Sequence, residues 1–206
     1  MLFFDSDQIA SMDRFYRMQL INTISGYKSA TLVGTQNSDG QTNLAVFNSL
    51  IHLSSQPPLL GFMLRPKTVP RHTYTNLSRT GYFTLNQIAA HQIADAHHSS
   101  AKYPESISEF DQTELSPELK GNIPAPYVAQ APIQVGCRFV NEYHIQESNT
   151  HLIVGAIEAL YVQENMLLED GWVQLDLGDI VAINGLEGYA LPKLLERFPY
   201  ARPKKD

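Results

Sequence analysis

A single cysteine, Cys137, stands among 206 residues, so no disulfide framework can form within the chain and packing must hold the core. Charge is sparse: Asp, Glu, Lys and Arg make up 17% of the chain, against about 25% in ordinary soluble domains. The balance is acidic, with 15 Lys and Arg against 21 Asp and Glu and a net charge of -6. Nucleic-acid binding needs a broad basic face, so any anion site here must be local. No apolar run approaches the ~18 residues of a membrane span. The start, Met1-Leu2-Phe3-Phe4-Asp5-Ser6-Asp7, lacks the basic and long apolar regions of a secretory signal. The expectation is a soluble cytoplasmic protein that binds neither membrane nor nucleic acid. Also absent are G-x-G-x-x-G, G-x-x-x-x-G-K-[ST] and G-x-S-x-G, which argues against a dinucleotide held in the Rossmann manner and against a nucleophile elbow.

What is present is a chain long enough for a sizeable core, 43% hydrophobic, with 12 Gly and 12 Pro, read as one domain over residues 1–206. Ile9, Met12, Phe15, Tyr16 and Leu20 recur at helical spacing and predict an opening amphipathic helix over 7–22 with its stripe in the core. A β-prone run over 29–35, an Asp39-Gly40 turn and a second run from Thr42 to Ile51 predict a hairpin. Leu59 to Leu64 reads as a buried strand. Residues 70–80 read as a helix with Pro70 in its first turn and Gly81 past its end, followed by a strand from Tyr82 to Asn86. Residues 87–131 lack an apolar period and read as a helical turn and a surface excursion. Ile133 to Gln146 and Leu152 to Gln163 predict a second hairpin, and Pro192 to Phe198 a short terminal helix. The sum is a mainly β fold, a barrel with peripheral helices.

The sharpest chemical feature is Arg65-Pro66-Lys67-Thr68-Val69-Pro70-Arg71-His72-Thr73, three basic residues at a strand-to-helix junction of an acidic protein. Free N–H groups at a helix start, forked arginine donors and threonine hydroxyls together suit a phosphate; a solvated helix start is the plainer alternative. His91, His97 and His98 lie close in sequence without a metal-ligand spacing, and no metal site is assigned. Cys137, within a β-prone run, reads as a buried small residue. Trp172, beside Gly171, is read as packing or as a stacking platform.

Several segments, in order, resemble the flavin reductase-like family of FMN-binding split barrels. They include Ser25 to Thr35, Asp39-Gly40-x-x-Asn43-Leu44-Ala45-x-Phe47-Asn48-Ser49 and Pro57-Pro58-Leu59-Leu60-Gly61-Phe62. Downstream come Arg65-Pro66-x-Thr68-Val69-x-Arg71-His72-Thr73-Tyr74-x-Asn76, Thr80-Gly81-Tyr82-x-Thr84-x-Asn86, Ser100-Ala101-Lys102-Tyr103, Ser108-Glu109-Phe110 and Gly185-Leu186-x-Gly188-Tyr189. Many relatives carry a Pro-Arg-Pro run where this chain has Gly26-Tyr27-Lys28. The resemblance implies a homodimer of Greek-key barrels of about six strands, each binding FMN that NADH or NADPH reduces as a transient co-substrate. It implies that Asn43, Ala45, Asn48 and Ser49 meet the flavin ring, and that Arg65, Thr68, Arg71 and Thr73 hold the phosphate. Ser100 and Lys102 would approach the ring, with Lys102 facing the charge that reduction creates. His151 would stand near the nicotinamide, and Lys102 and His151 are the expected catalytic residues. The implied activity is NAD(P)H-dependent flavin reduction, with a monooxygenase as a partner left open; a non-catalytic electron carrier or flavin store is the alternative.

Overall fold

The computed structural model describes residues 1–203; the charged end, 204–206, lies outside the described residues. β2 (Thr31–Gln36) and β3 (Thr42–Phe47) form the first hairpin, in a register running from Gln36 opposite Thr42 to Thr31 opposite Phe47. Asn37 builds the turn, its Oδ1 accepting from the N–H groups of Asp39 and Gln41. The run expected to continue to Ile51 breaks instead. β3 ends at Phe47 and β4 (Ile51–Ser55) begins a separate strand that pairs with β5 (Pro58–Leu64). β9 (Ile133–Ile145) and β10 (Thr150–Val162) form the second hairpin, close to its expected bounds.

With β6 (Tyr82–Gln87), these strands make one antiparallel seven-stranded sheet in the order β3-β2-β6-β9-β10-β5-β4. The two edge strands, β3 and β4, are consecutive in the chain and joined only by residues 48–50, so the sheet must curl until its ends nearly meet. Register shifts at Val154/Gly155 and Ile157/Ala159 supply local twist for that curl. The result is a barrel closed by the chain rather than by a ladder of hydrogen bonds. The strand count exceeds the expected six because the run over 42–51 splits in two. A small sheet of β1 (Tyr27–Ser29), β11 (Ala182–Asn184) and β12 (Gly188–Ala190) completes the β structure together with a short pair, β7 (Pro117–Glu118) and β8 (Tyr127–Val128).

β2 is buried on both faces, and its alternating residues divide the core. Val33 joins Phe62, Leu64, Leu77, Phe83 and Ile153 on one side. Leu32 joins Leu44, Ile88, Phe110, Val128 and Val181 on the other. Each such side chain contributes roughly 1.5–3 kcal/mol on burial. The second cluster overturns the expected surface excursion over 87–131. That segment packs as a layer, with Phe110, Ile123, Tyr127 and Val128 buried. Asn86 stitches the layer down, accepting from the N–H of Val128 at 3.0 Å and donating to the carbonyl of Leu32 at 3.2 Å. Gly34 allows the close approach, because a Cβ there would strike the carbonyl oxygen of Pro126 and the hydroxyl of Thr84.

Two further expectations are corrected at the chain ends. The opening helix is two helices, α1 (Ser6–Ser11) and α2 (Arg14–Thr23), because Asp13 caps a new start by accepting from the N–H groups of Phe15 and Tyr16. Neither helix buries a residue: of the stripe expected in the core, Phe15 and Tyr16 face outward, 68% and 56% exposed, while Ile9, Met12 and Leu20 are half-buried. The terminal helix over 192–198 does not form. Pro199 disfavours helical backbone at Phe198, and the few residues after Pro192 are too short to nucleate a turn alone. The segment is pinned instead by Arg197, which pairs with Asp170 at 2.6 Å and lies 4.4 Å over the Trp172 ring.

Candidate functional site

The strand-to-helix junction forms an open cleft of about 320 Å³ lined by Lys67, Thr68, Val69, Pro70, Arg71, Tyr74 and Thr75. Helix α3 (His72–Thr80) begins there and ends on Gly81 at φ 79°, the left-handed cap that the sequence predicts. Its N-cap is Arg71, one residue beyond the Pro70 expected in the first turn, and among the described residues no side chain caps the start. The first-turn N–H groups therefore carry the positive end of the helix dipole without a side-chain acceptor. Arg71 spends its Nε on the carbonyl of Pro66 at 3.2 Å, which sets the guanidinium in place while its terminal nitrogens stay free among the described residues. Hydroxyls of Thr68 and Thr75, a forked cation and an uncapped helix start are a donor set that fits a phosphate monoester.

Beside the cleft, strand register assembles a charged cluster. Glu142 and His144 lie two apart on β9, so they share a face, and His151 on β10 stands opposite both His144 of β9 and Leu64 of β5. Lys67 grips Glu142 through both oxygens, at 2.9 and 3.1 Å, and its Nζ lies 4.0 Å from the centre of the Tyr74 ring. Glu142 Oε2 is 3.9 Å from His151 Nδ1. The His151 ring stacks on His144 at 4.8 Å and 19°. His151 is 9% exposed, and its Nδ1 is buried without a hydrogen-bond partner among the described residues. Burial first, then the charge of Lys67, holds the imidazole below its ordinary range, with Glu142 pulling the other way. Burial, the largest single influence, would lift Glu142, but hydrogen bonds from Lys67 and Tyr74 together with the charge of Lys67 outweigh it and the carboxyl lies below its usual range. His151 is therefore neutral at neutral pH and Glu142 is ionised.

The expected site residues fall into separate groups. Thr68 and Arg71 line the cleft. Arg65, exposed, stands one residue past the end of β5. Asn43 and Thr73 meet each other inside: the Asn43 amide donates to Thr73 Oγ1 at 3.2 Å and to Thr35 Oγ1 at 3.3 Å, and Asn76 donates to the same Thr35 oxygen at 3.2 Å. Ala45 is half-buried on β3 opposite Val33. Asn48 donates to the carbonyl of Gly185 at 2.8 Å, and Ser49 Oγ accepts from the N–H of Met63 at 3.1 Å, so both brace the gap between β3 and β4. Ser100 and Lys102 are exposed after α4 (Ile93–His98), where the His98–Tyr103 hydrogen bond of 2.6 Å steadies the loop. Among the described residues no hydrogen bond or ion pair joins those two side chains to the cleft.

Sequence reasoning missed Tyr74 and Glu142 as members of a site. Lys67 was read as one of three basic residues suited to a phosphate and not as the partner of a carboxylate, and Glu142 was legible only through its i, i+2 spacing to His144. Glu109 was also missed: its carboxylate accepts from the N–H of Leu44 at 2.8 Å and clamps the packed excursion to β3. Cys137 is fully buried, with its thiol pushed up to about 12 by burial, as expected of a packing residue.

Comparison with known proteins adds four findings. A family profile described as flavin reductase like domain matches residues 27–174. The solved structure of a candidate flavin reductase with a split-barrel domain from Shewanella frigidimarina is 37% identical, with a TM-score of 0.94 over 98% of this chain and 100% of its own. Nitrilotriacetate monooxygenase component B from Bacillus cereus, 20% identical, superposes with a TM-score of 0.82 over 97% of this chain and 98% of its own. An FMN-binding protein from Thermus thermophilus, 18% identical, superposes at 0.70 over 84% and 91%.

Proposed function

We propose, from the premise that this chain belongs to the flavin reductase-like family, that it binds FMN and accepts on it a hydride from NADH or NADPH. The observation that carries the reading is the cleft, where Arg71, Thr68 and the uncapped start of α3 face one opening beside a buried, neutral His151. The flavin, when bound, supplies the two-electron acceptor that no side chain offers. The protein's part is binding and orientation. Arg71, Thr68 and the α3 N–H groups would hold the phosphate, with Arg65 at the rim and Thr73 fixing α3 from within. Asn43, Ala45, Asn48 and Ser49 would line the ring, and Ser100 and Lys102 would close over it from the loop after α4. His151 would stand beside the nicotinamide, where an uncharged ring adds no positive charge to a site in which the departing hydride leaves a cation.

A homodimer fits the same reading. The stretch before α1, helix α2 with its C-cap, and the terminal segment expose Leu2, Phe3, Phe15, Ile24, Leu195 and Phe198, apolar area that a second copy would cover. Light scattering should give twice the chain mass. The cell compartment would be the cytoplasm, and the fold shared with a monooxygenase component supports a monooxygenase as consumer of the reduced flavin.

Purified protein, reconstituted with FMN under anaerobic conditions, should bleach rapidly on addition of NADH or NADPH. A yellow protein inert to both nucleotides would make the chain an electron carrier or flavin store, and a protein that takes up no flavin would end the reading.

A further inference from the structure

Glu142 is not itself part of the cleft lining, yet its carboxylate is shared between Lys67, which lines the cleft, and His151, an expected site residue. One oxygen lies 2.9 Å and the other 3.1 Å from Lys67 Nζ, and Lys67 lines the cleft. The second oxygen also lies 3.9 Å from His151 Nδ1, a distance too long for a hydrogen bond and short enough for strong charge coupling. The other groups around His151 are accounted for: Leu64 on β5 is apolar, His144 on β9 stacks on the ring and engages Asn149 at 2.9 Å, and Tyr74 on α3 lies under Lys67.

We infer that Glu142 is a positioning residue: by gripping Lys67 and standing beside His151 it sets the charge that this corner of the cleft presents to the nicotinamide. The inference rests on the proposed hydride transfer. In that step the C4–H bond of the nicotinamide breaks, both electrons leave with the hydride for the flavin, and the nicotinamide ring is left a cation. A free lysine charge or an imidazolium beside it opposes that development. Glu142 cancels the first. It also raises the proton affinity of His151, which Lys67 and burial lower, so the acid side of the reaction is set by the contest between the two.

The contest predicts opposite signs. In Glu142→Gln the attraction is gone while Lys67 stays, so the titration midpoint of the His151 ring, followed by NMR of its Cε1 proton, should fall by roughly one pH unit. In Lys67→Met the repulsion is gone and Glu142 is released toward Nδ1, so the midpoint should rise by a similar amount. The double variant should return near the wild-type value. Both side chains are more than a quarter exposed, so neither change endangers folding. The acid limb of kcat/KM for NADH should move with the midpoint in each variant. Midpoints that move together or not at all overturn the inference, as does a limb that stays put while the midpoint moves. The NMR titration needs neither flavin nor nucleotide. A protein inert to NADH would therefore count against the proposed activity, while the midpoints would still decide the coupling.

Discussion

Two polar networks meet on helix α3, one closed and one open. On its inner side Thr73 and Asn76 join Thr35 and Asn43 in a neutral buried set whose two amides donate to threonine hydroxyls across β2, β3 and the helix. At its start, Lys67, Tyr74, Glu142 and His151 form a charged set that borders the cleft and leaves the buried His151 Nδ1 without a partner. A closed neutral network fixes geometry, since every change to it leaves a buried group unpaired. An open charged one keeps interaction capacity for something that arrives. The helix holds both, so the cleft is rigid where it is built and unsatisfied where it binds.

The largest effect should come from breaking the closed network. Thr35→Val keeps the shape but strands one donor each of Asn43 and Asn76, and buried donors without acceptors cost about 1–3 kcal/mol each. A loss of about 2–4 kcal/mol in urea unfolding is expected, with the His151 titration unchanged. A loss under about 0.5 kcal/mol would mean that these hydrogen bonds do not hold α3.

The open side should respond in binding rather than in folding. Arg71→Ala should weaken FMN by about 1.5–3 kcal/mol, the range for a hydrogen bond to a charged group, measured by fluorescence titration. Phosphate charge is the same in both redox states, so the midpoint potential should stay put. Lys102→Ala should do the reverse: it should make the potential more negative, because the charge it would face appears only on reduction. If Arg71→Ala moves the potential while Lys102→Ala does not, the cofactor lies the other way round in the site.

The sequence carried the open network only in part, and the reason is physical. Strands, the first hairpin and α3 follow from local turn chemistry and period, as do the basic residues at the junction. Glu142 meets Lys67 across 75 residues, and the β9–β10 and β10–β5 registers together bring them side by side. The layer over 87–131 was read as surface because its buried residues, such as Phe110 and Val128, are spaced by no helix or strand period. The outward stripe of α2 failed in the other direction. Periodicity reports that a face is apolar, not whether its partner belongs to the same chain.

Glu109 sharpens the comparison, since it is buried like the closed network and ionisable like the open one. Burial raises its carboxyl above the usual range, against the N–H of Leu44, its own N–H and, last, His72. A group whose folded value is raised stabilises the fold fully below its unfolded value, and that contribution is lost as pH climbs through the folded value. Glu109→Gln keeps an oxygen for the Leu44 N–H and removes the ionisation. The variant carries a constant offset from its buried amide, so the informative quantity is the difference in Tm between variant and wild type as a function of pH. That difference should shift in favour of Gln as pH rises above the ordinary glutamate value. A shift in favour of Glu would mean that its hydrogen bonds and His72 outweigh burial. The clamp on β3 would then behave as an ion pair of the open kind rather than as a buried strain that pH can relieve.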